Sequence, residues 1–452
     1  LRTVFAEVRG RLAQVVAPFA GFVLPVEDLT RVDEAEREGE ARRRAHDEGV
    51  RPYDLAAGPL FRARLLRLGA EDHVLVLALH HIVTDGWSSG ILLGELSALY
   101  GAYRDGRESP LPELPVQYAD YAVWQREQLQ GPVLERQLAY WTGQLAGAPA
   151  LLELPTDHPR PAEQSHRGAR ERFQLPESLV ERLTALGQRE GATLFMVLLG
   201  AFQVILARYS GSEDVVIGSP IAGRTRREVE GLIGFFVNTL VLRGDLSGDP
   251  TFREILRRAR ETTLGAYEHQ ALPFEKLVAE LRPERSLGFS PLFQVMFTFN
   301  DVSAGGERLP GVEVRGMDGE VQTSRFDLTL GVIAASGRVG GVLEYSTDLF
   351  QAGTVRRILD HLQRVLEQVA DDADVRLSHL ELASADEQRR VLEAWNAPAG
   401  GAEHASARGD GAGLPAAAGE GAGVGVADVD EMSEEELDRL LAHLSADGEP
   451  GS

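Results

Sequence analysis

From Val74 the chain reads Val-Leu-Val-Leu-Ala-Leu without a polar residue and then breaks into His80-His81-Ile82-Val83-Thr84-Asp85-Gly86-Trp87-Ser88. A short apolar run of this kind predicts a strand buried on both faces that ends where the histidines begin. A helical rhythm follows, with Ile91, Leu92, Leu96 and Leu99 on one side. Upstream, 61–68 reads as a second strand, joined to the first through Gly69-Ala70-Glu71-Asp72 at hairpin spacing, and the charged stretch 33–48 reads as a helix.

Beyond a proline-punctuated loop at 109–115, the pattern predicts helices over 118–129 and 133–145. The Pro-, His- and Arg-rich stretch 148–168 is the expected boundary between two lobes. The second part alternates helices (179–187, 194–207, 252–268, 355–369) with strands (215–217, 233–243, 294–299, 326–333, 339–345), and Thr193 is placed to cap the apolar 194–207 helix. No period of repeats runs through the chain, which argues against a solenoid.

From 397 to 426 large apolar residues all but vanish into Gly and Ala, as in a flexible linker. Ser433-Glu434-Glu435-Glu436 then makes a capping-box pattern ahead of Leu437, Leu440, Leu441 and Leu444, one apolar stripe on an acidic short helix. That stripe either packs back on its own domain or lies in a groove of a partner.

Composition narrows the function classes. The 452 residues carry a formal net charge of −23, which disfavours a nucleic-acid backbone as partner. No stretch is long and apolar enough to span a bilayer and no signal-peptide pattern opens the chain. The lack of cysteine excludes disulfides and thiolate metal sites and agrees with the cytoplasm. The chain opens mid-pattern at Leu1, as expected of a fragment.

The candidate chemistry sits at the strand end. Neighbouring side chains of a strand point to opposite faces, so one histidine is expected in a cleft and the other in packing. Gly86 is expected to permit a sharp turn bringing Asp85 back under the pair. A metal site is disfavoured, because the adjacent histidines diverge and no other ligand pattern accompanies them.

Six separated motifs resemble one family. They are His80-His81-x-x-x-Asp85-Gly86, Leu1 to Phe5, Tyr118 to Gln125, Ile233 to Thr239, His269 to Glu275 and Ser290 to Gln294, in the family's order. The chain resembles a nonribosomal peptide synthetase condensation domain over about residues 1–398. The family's first motif is missing, and no adenylation or carrier-attachment motif follows. The resemblance implies an α/β fold like that of chloramphenicol acetyltransferase, with two lobes in a V around a tunnel. On that basis the expected units are an N-terminal lobe 1–155, a C-terminal lobe 156–396, a linker 397–426 and a tail 427–452.

The resemblance implies peptide-bond formation between a donor acyl or peptidyl thioester and an acceptor aminoacyl thioester. Both hang on phosphopantetheine arms supplied by donor and acceptor peptidyl carrier proteins, and no cofactor is permanently bound. It places His81 at the reacting centre, either taking the amine proton or holding the amine in line. Gly86 would give room and an N–H to the thioester carbonyl oxygen. Asp85 would pair with Arg224, and His80 would pack away from the tunnel. Trp87, Ser88 and Asn238 are expected along the tunnel, the Asn238 amide either touching substrate or satisfying local backbone. Tyr121, Trp124, 269–270 and 273–275 are expected to be architectural. An L-configured donor, a monomer, and contact with other synthetase modules through Leu437, Leu440, Leu441 and Leu444 complete the expectation. Two other readings stay open: an ester-forming acyltransferase of the same fold using a free or CoA-linked acceptor, and a catalytically silent module that recruits carriers or other enzymes.

Overall fold

A computed structural model describes residues 1–283, 286–301, 309–317, 323–335, 337–384, 387 and 389. The linker 397–426 and the tail with its leucine stripe lie outside the described residues.

The N-terminal part is built on two small sheets. β1 (Thr3–Val8) and β2 (Arg11–Val16) make an antiparallel hairpin. β3 (Val26–Asp28), β4 (Phe61–Arg67) and β5 (His73–Leu79) form a three-stranded sheet in that order, parallel then antiparallel. α1 (Glu34–Val50) lies on it, and Ala41 meets Leu29, Leu66 and Leu68 in a compact core that Val74 and Val76 flank. α2 (Gly86–Arg104) follows β5 directly.

β5 is not buried on both faces. It is an edge strand of this sheet, Val74 and Val76 packing toward α1 while Leu75 is 40% exposed on the other side. A continuous apolar run does not report which face finds a partner.

The larger body holds a six-stranded sheet in the order β6 (Gly168–Gln174), β11 (Arg338–Ser346), β10 (Leu328–Ala335), β9 (Val295–Asp301), β7 (Asp214–Ile221), β8 (Asn238–Asp245). The β7–β9 and β9–β10 pairings are parallel and the others antiparallel. α5 (Glu177–Arg189), α6 (Leu194–Ser210), α7 (Phe252–Glu268) and α9 (Ala352–Asp371) cover it. α6 carries twelve consecutive buried residues from Met196 to Ala207, and the Thr193 hydroxyl caps it by accepting from Met196 N–H. A helix apolar all round is a core helix, as its sequence predicts.

The stretch 148–168 is fastened to the larger body at several points. Gln294, buried, accepts from Leu152 N–H and donates to the carbonyls of Ala150 and Ser290. Arg160 forms a bidentate pair with buried Asp327, and Asp157 accepts from Gln351 N–H and the Thr354 hydroxyl. Packing also crosses residue 155. α3 (Tyr118–Gln128) and α4 (Gly131–Gln144) lie on the N-terminal side of it, yet Leu129, Trp141, Leu145 and Leu152 belong to the same core as the large sheet. Trp141 seals this by donating from Nε1 to His269 O at 2.9 Å.

The expected strand 233–243 begins only at Asn238, because 233–237 is a loop. Phe236 turns inward there among Tyr118, Tyr121, Val229 and Leu232, leaving its N–H to be satisfied outside any ladder. Two glycines permit this. A Cβ on Gly234 would fall 2.2 Å from the Tyr118 ring, and one on Gly223, at φ +65°, would fall 2.0 Å from Phe236 O.

Candidate active site

The strand β5 ends at Leu79, and the two histidines that follow have different environments. His80 keeps extended backbone and donates its N–H to Leu60 O at 3.0 Å. His81 opens a short 3₁₀ turn, His81–Val83, in place of a continued strand. The side chains therefore diverge because the backbone changes class between them rather than by strand alternation. His80 Nδ1 accepts the Ile82 N–H at 3.1 Å and so caps that turn, its ring edge-on to Tyr53.

His81 is exposed, and its Nδ1 is 2.6 Å from Thr84 O. A carbonyl only accepts, so Nδ1 is the donor, and in the neutral form of the ring the lone pair is on Nε2. The Phe235 ring stands nearly perpendicular to the imidazole, with ring centroids 5.3 Å apart, and steadies it.

Asp85 caps α2. Its Oδ1 accepts from Ser88 N–H at 2.8 Å and lies 3.3 Å from Arg224 Nη2, and its Oδ2 accepts the orphan Phe236 N–H at 2.9 Å. Asp85 and Arg224 are 3% and 1% exposed, so the structure brings these two residues together as a buried ion pair. Arg224 also donates to Val229 O at 2.5 Å, Leu232 O at 2.8 Å and Ser88 Oγ at 2.8 Å, its guanidinium 4.1 Å from the Phe236 ring centroid. These added donors and acceptors are what a desolvated pair requires.

Gly86 does not make the turn expected of it. It is the first residue of α2, outside the positive-φ positions, and a Cβ there would meet nothing within 4 Å. Asp85 points back because it is an N-cap residue, whose geometry aims its side chain at the first helical turn. Gly86 accordingly borders open space at the positive end of the α2 dipole.

Ser88 is fully buried. Its hydroxyl donates to Gly234 O at 2.9 Å and accepts from Gly234 N–H at 3.1 Å and from Arg224. Trp87 is 51% exposed and donates from Nε1 to Glu230 O at 3.0 Å. The Asn238 amide is consumed by backbone. Nδ2 donates to Gln270 O and Leu272 O, and Oδ1 accepts from Thr239 N–H and Phe274 N–H. Asn238 thus ties β8 to the turn that leads into α8 (Phe274–Leu281).

Phe235 also lines a cavity of about 280 Å³, together with Tyr121, Trp124, Gln128, Asn238, Gln270 and Pro273 among others. Tyr118 closes one end, donating its hydroxyl to Phe235 O at 2.6 Å, and burial pushes that phenol up to about 12. Phe235, Tyr118 and Gly234 were not expected as site residues, although all three lie within the motifs quoted above. Nothing in a motif tells a wall residue from a core one. Among the described residues, no three His, Asp or Glu side chains converge to hold a metal ion, and no single helix is long and apolar enough to cross a membrane.

The Condensation domain family model matches residues 1–392. The linear gramicidin synthase of Brevibacillus parabrevis supplies two relatives among its large polypeptides, one 50% and another 47% identical to this chain, over 398 residues and 88% of its length in each case. The chain spans 8% of the length of either polypeptide. Among solved structures it is similar to the X-domain of teicoplanin biosynthesis in complex with OxyB, with a TM-score of 0.77 at 30% identity over 85% of this chain and 84% of that one. It is also similar to a holo four-domain nonribosomal peptide synthetase bound to AMP and glycine, with a TM-score of 0.73 at 26% identity over 86% of this chain and 30% of that one.

Proposed function

The chain belongs to the condensation-domain family, and from that premise we propose that it forms amide bonds in nonribosomal peptide synthesis. An amine on an acceptor aminoacyl thioester attacks the carbonyl of a donor acyl or peptidyl thioester, both delivered on phosphopantetheine arms by carrier proteins. The new C–N bond replaces the donor C–S bond. The amine loses a proton, and the donor arm leaves as a thiol.

The observation that carries this reading is the 2.6 Å contact between His81 Nδ1 and Thr84 O. Thr84 O holds the proton on Nδ1, leaving Nε2 to accept a hydrogen bond from the amine and orient its lone pair on the carbonyl. A thioester is already an activated acyl donor, so positioning supplies much of the acceleration. Asp85 has both oxygens committed and serves the framework rather than carrying protons. The Gly86 N–H, at the start of α2 and beside open space, is assigned to the thioester carbonyl oxygen as charge develops there.

Trp87 and the cavity beside Phe235 are assigned to the path of one pantetheine arm, with Ser88 and Asn238 shaping its wall through the loops they fasten. The donor is assigned the L-configuration and the protein acts as a monomer in the cytoplasm. The tail with Leu437, Leu440, Leu441 and Leu444 is assigned to docking another synthetase module.

The similarity to an X-domain solved in complex with another protein favours one second reading, a recruitment module. The intact His81, Asp85 and Gly86 weigh against it. The experiment is to load two carrier proteins, one with an aminoacyl donor and one with either an amino- or a hydroxyacyl acceptor. Dipeptidyl thioester from the amine acceptor supports the proposal; ester alone, or carrier binding with no product, rejects it.

A further inference from the structure

Against His80 lies a stack of side chains that the chemistry above does not use. α1 ends at Val50, and the guanidinium of Arg62 from β4 plugs its last carbonyls. Arg62 Nη2 donates to Glu48 O and Arg51 O at 2.9 Å each, and Nη1 donates to Pro52 O at 3.1 Å. Its Nε lies 2.5 Å from the Glu48 carboxylate, which is 6% exposed and also takes Arg64 at 3.0 Å. A positive group at a helix C-terminus, paired with a buried carboxylate, fixes that guanidinium plate from several directions.

The plate lies against Tyr53, with Arg62 Cζ 3.7 Å from the ring centroid. Tyr53 in turn meets His80 with ring centroids 5.4 Å apart at 80°. The Tyr53 hydroxyl is buried and has no hydrogen-bond partner, so the ring, not the oxygen, makes the contact. His80 Nδ1 then accepts Ile82 N–H and fixes the turn whose first residue is His81. Each member is held by the one before it, from an anchored ion pair to the candidate reacting ring.

We propose that Tyr53, Arg62 and Glu48 are positioning residues for His81, acting through His80 to hold the 3₁₀ turn in the geometry that presents Nε2. This rests on the role of His81 proposed above. None of Tyr53, Arg62 and Glu48 lines the cavity beside Phe235, so the stack is expected to alter the rate of the joining step and not the binding of carriers.

The test uses the whole chain with two loaded carriers, comparing Tyr53→Leu, Tyr53→Phe and Arg62→Lys with the wild type. Single-turnover rate, KM for each carrier and hydrogen exchange at the Ile82 amide are measured, with the α6 amides as the check on the fold. Tyr53→Phe keeps the ring and loses only an unsatisfied hydroxyl, so its rate stays within about twofold of wild type. Tyr53→Leu lowers the rate about tenfold at unchanged KM, as a small misplacement of His81 would. Exchange at Ile82 rises while α6 stays protected. Arg62→Lys, which keeps the charge but not the flat plate, moves both readouts in the same direction. Wild-type rate and wild-type Ile82 exchange in Tyr53→Leu would overturn the proposal. So would an equal loss in Tyr53→Phe. If the wild type itself makes no amide, the functional reading fails, and Ile82 exchange still decides whether the stack holds the turn.

Discussion

Arg224→Met is the perturbation with the largest consequence. The arginine makes four polar contacts, to Val229 O, Leu232 O, Asp85 and Ser88, in a site from which solvent is excluded. Its loss leaves the Asp85 carboxylate with two N–H donors and no cation, and breaking a buried pair from one side costs about 3–5 kcal/mol. Asp85→Asn leaves the buried Arg224 without its anion and turns an amide NH₂ toward an existing donor, Phe236 N–H or Arg224, again at about 3–5 kcal/mol. Both changes disturb the same clasp, so the double variant is expected to fall short of the sum by about 1–3 kcal/mol. Urea unfolding, followed by far-UV circular dichroism and by tryptophan fluorescence, measures all four proteins. Trp87, one of four tryptophans, has its ring centroid 5.9 Å from Arg224 Cζ, so the clasp contributes to the fluorescence signal. Strict additivity, within about 0.5 kcal/mol, would show that Asp85 and Arg224 do not act as a coupled pair and refute the reasoning. A loss below about 1 kcal/mol for Arg224→Met would refute it as well.

Other consequences are smaller and separable. Ser88→Ala strips three hydrogen bonds from a fully buried hydroxyl and is expected to lower stability by about 1–3 kcal/mol, read in the same urea series. Asn238→Leu orphans the backbone groups of 270, 272, 239 and 274, and is expected to raise KM for one carrier as the cavity wall loosens. His361 on α9 is buried against Tyr209, and burial holds its pKa below the usual histidine range. A depressed pKa means the unfolded chain takes the proton first. Stability from this group is therefore whole above about pH 6.5 and declines as pH falls toward the folded value, and unfolding scans from pH 7.5 to 5 are expected to show a flatter decline for His361→Gln. Deleting 430–448 is expected to weaken association with a partner module while leaving turnover on fused carriers unchanged, a contrast that pull-down and turnover assays resolve.

Much of this architecture was legible because long periodic segments leave little choice. α6 reads as a core helix from its composition alone, and Thr193 marks its start. The His80–Gly86 motif located the candidate site, and the ion pair with Arg224 ties its Asp85 to a residue 139 positions away. What the pattern hid has physical causes. β6 is Gly-Ala-Arg-Glu-Arg-Phe-Gln, a strand whose alternation is masked by Glu171, which stands on the half-buried face between Ala169 and Phe173 and pairs with Arg356. β3 has only three residues, too few to show a period. The apolar 233–237 segment reads as strand, yet Phe236 belongs to an aromatic cluster around Arg224 and its N–H to Asp85. Gly86 looks like a turn residue until Asp85 is seen to cap a helix. Tertiary partners decide each of these cases.

The central claim is that His81 Nε2 handles the attacking amine. The most direct measurement is a single-turnover reaction between a donor carrier and an acceptor carrier, both loaded, with wild type and His81→Ala compared at equal folded concentration. The account predicts dipeptidyl thioester from the wild type and at least about a tenfold slower rate from His81→Ala, the loss expected when proton transfer or alignment is removed. Equal rates from the two proteins would contradict it.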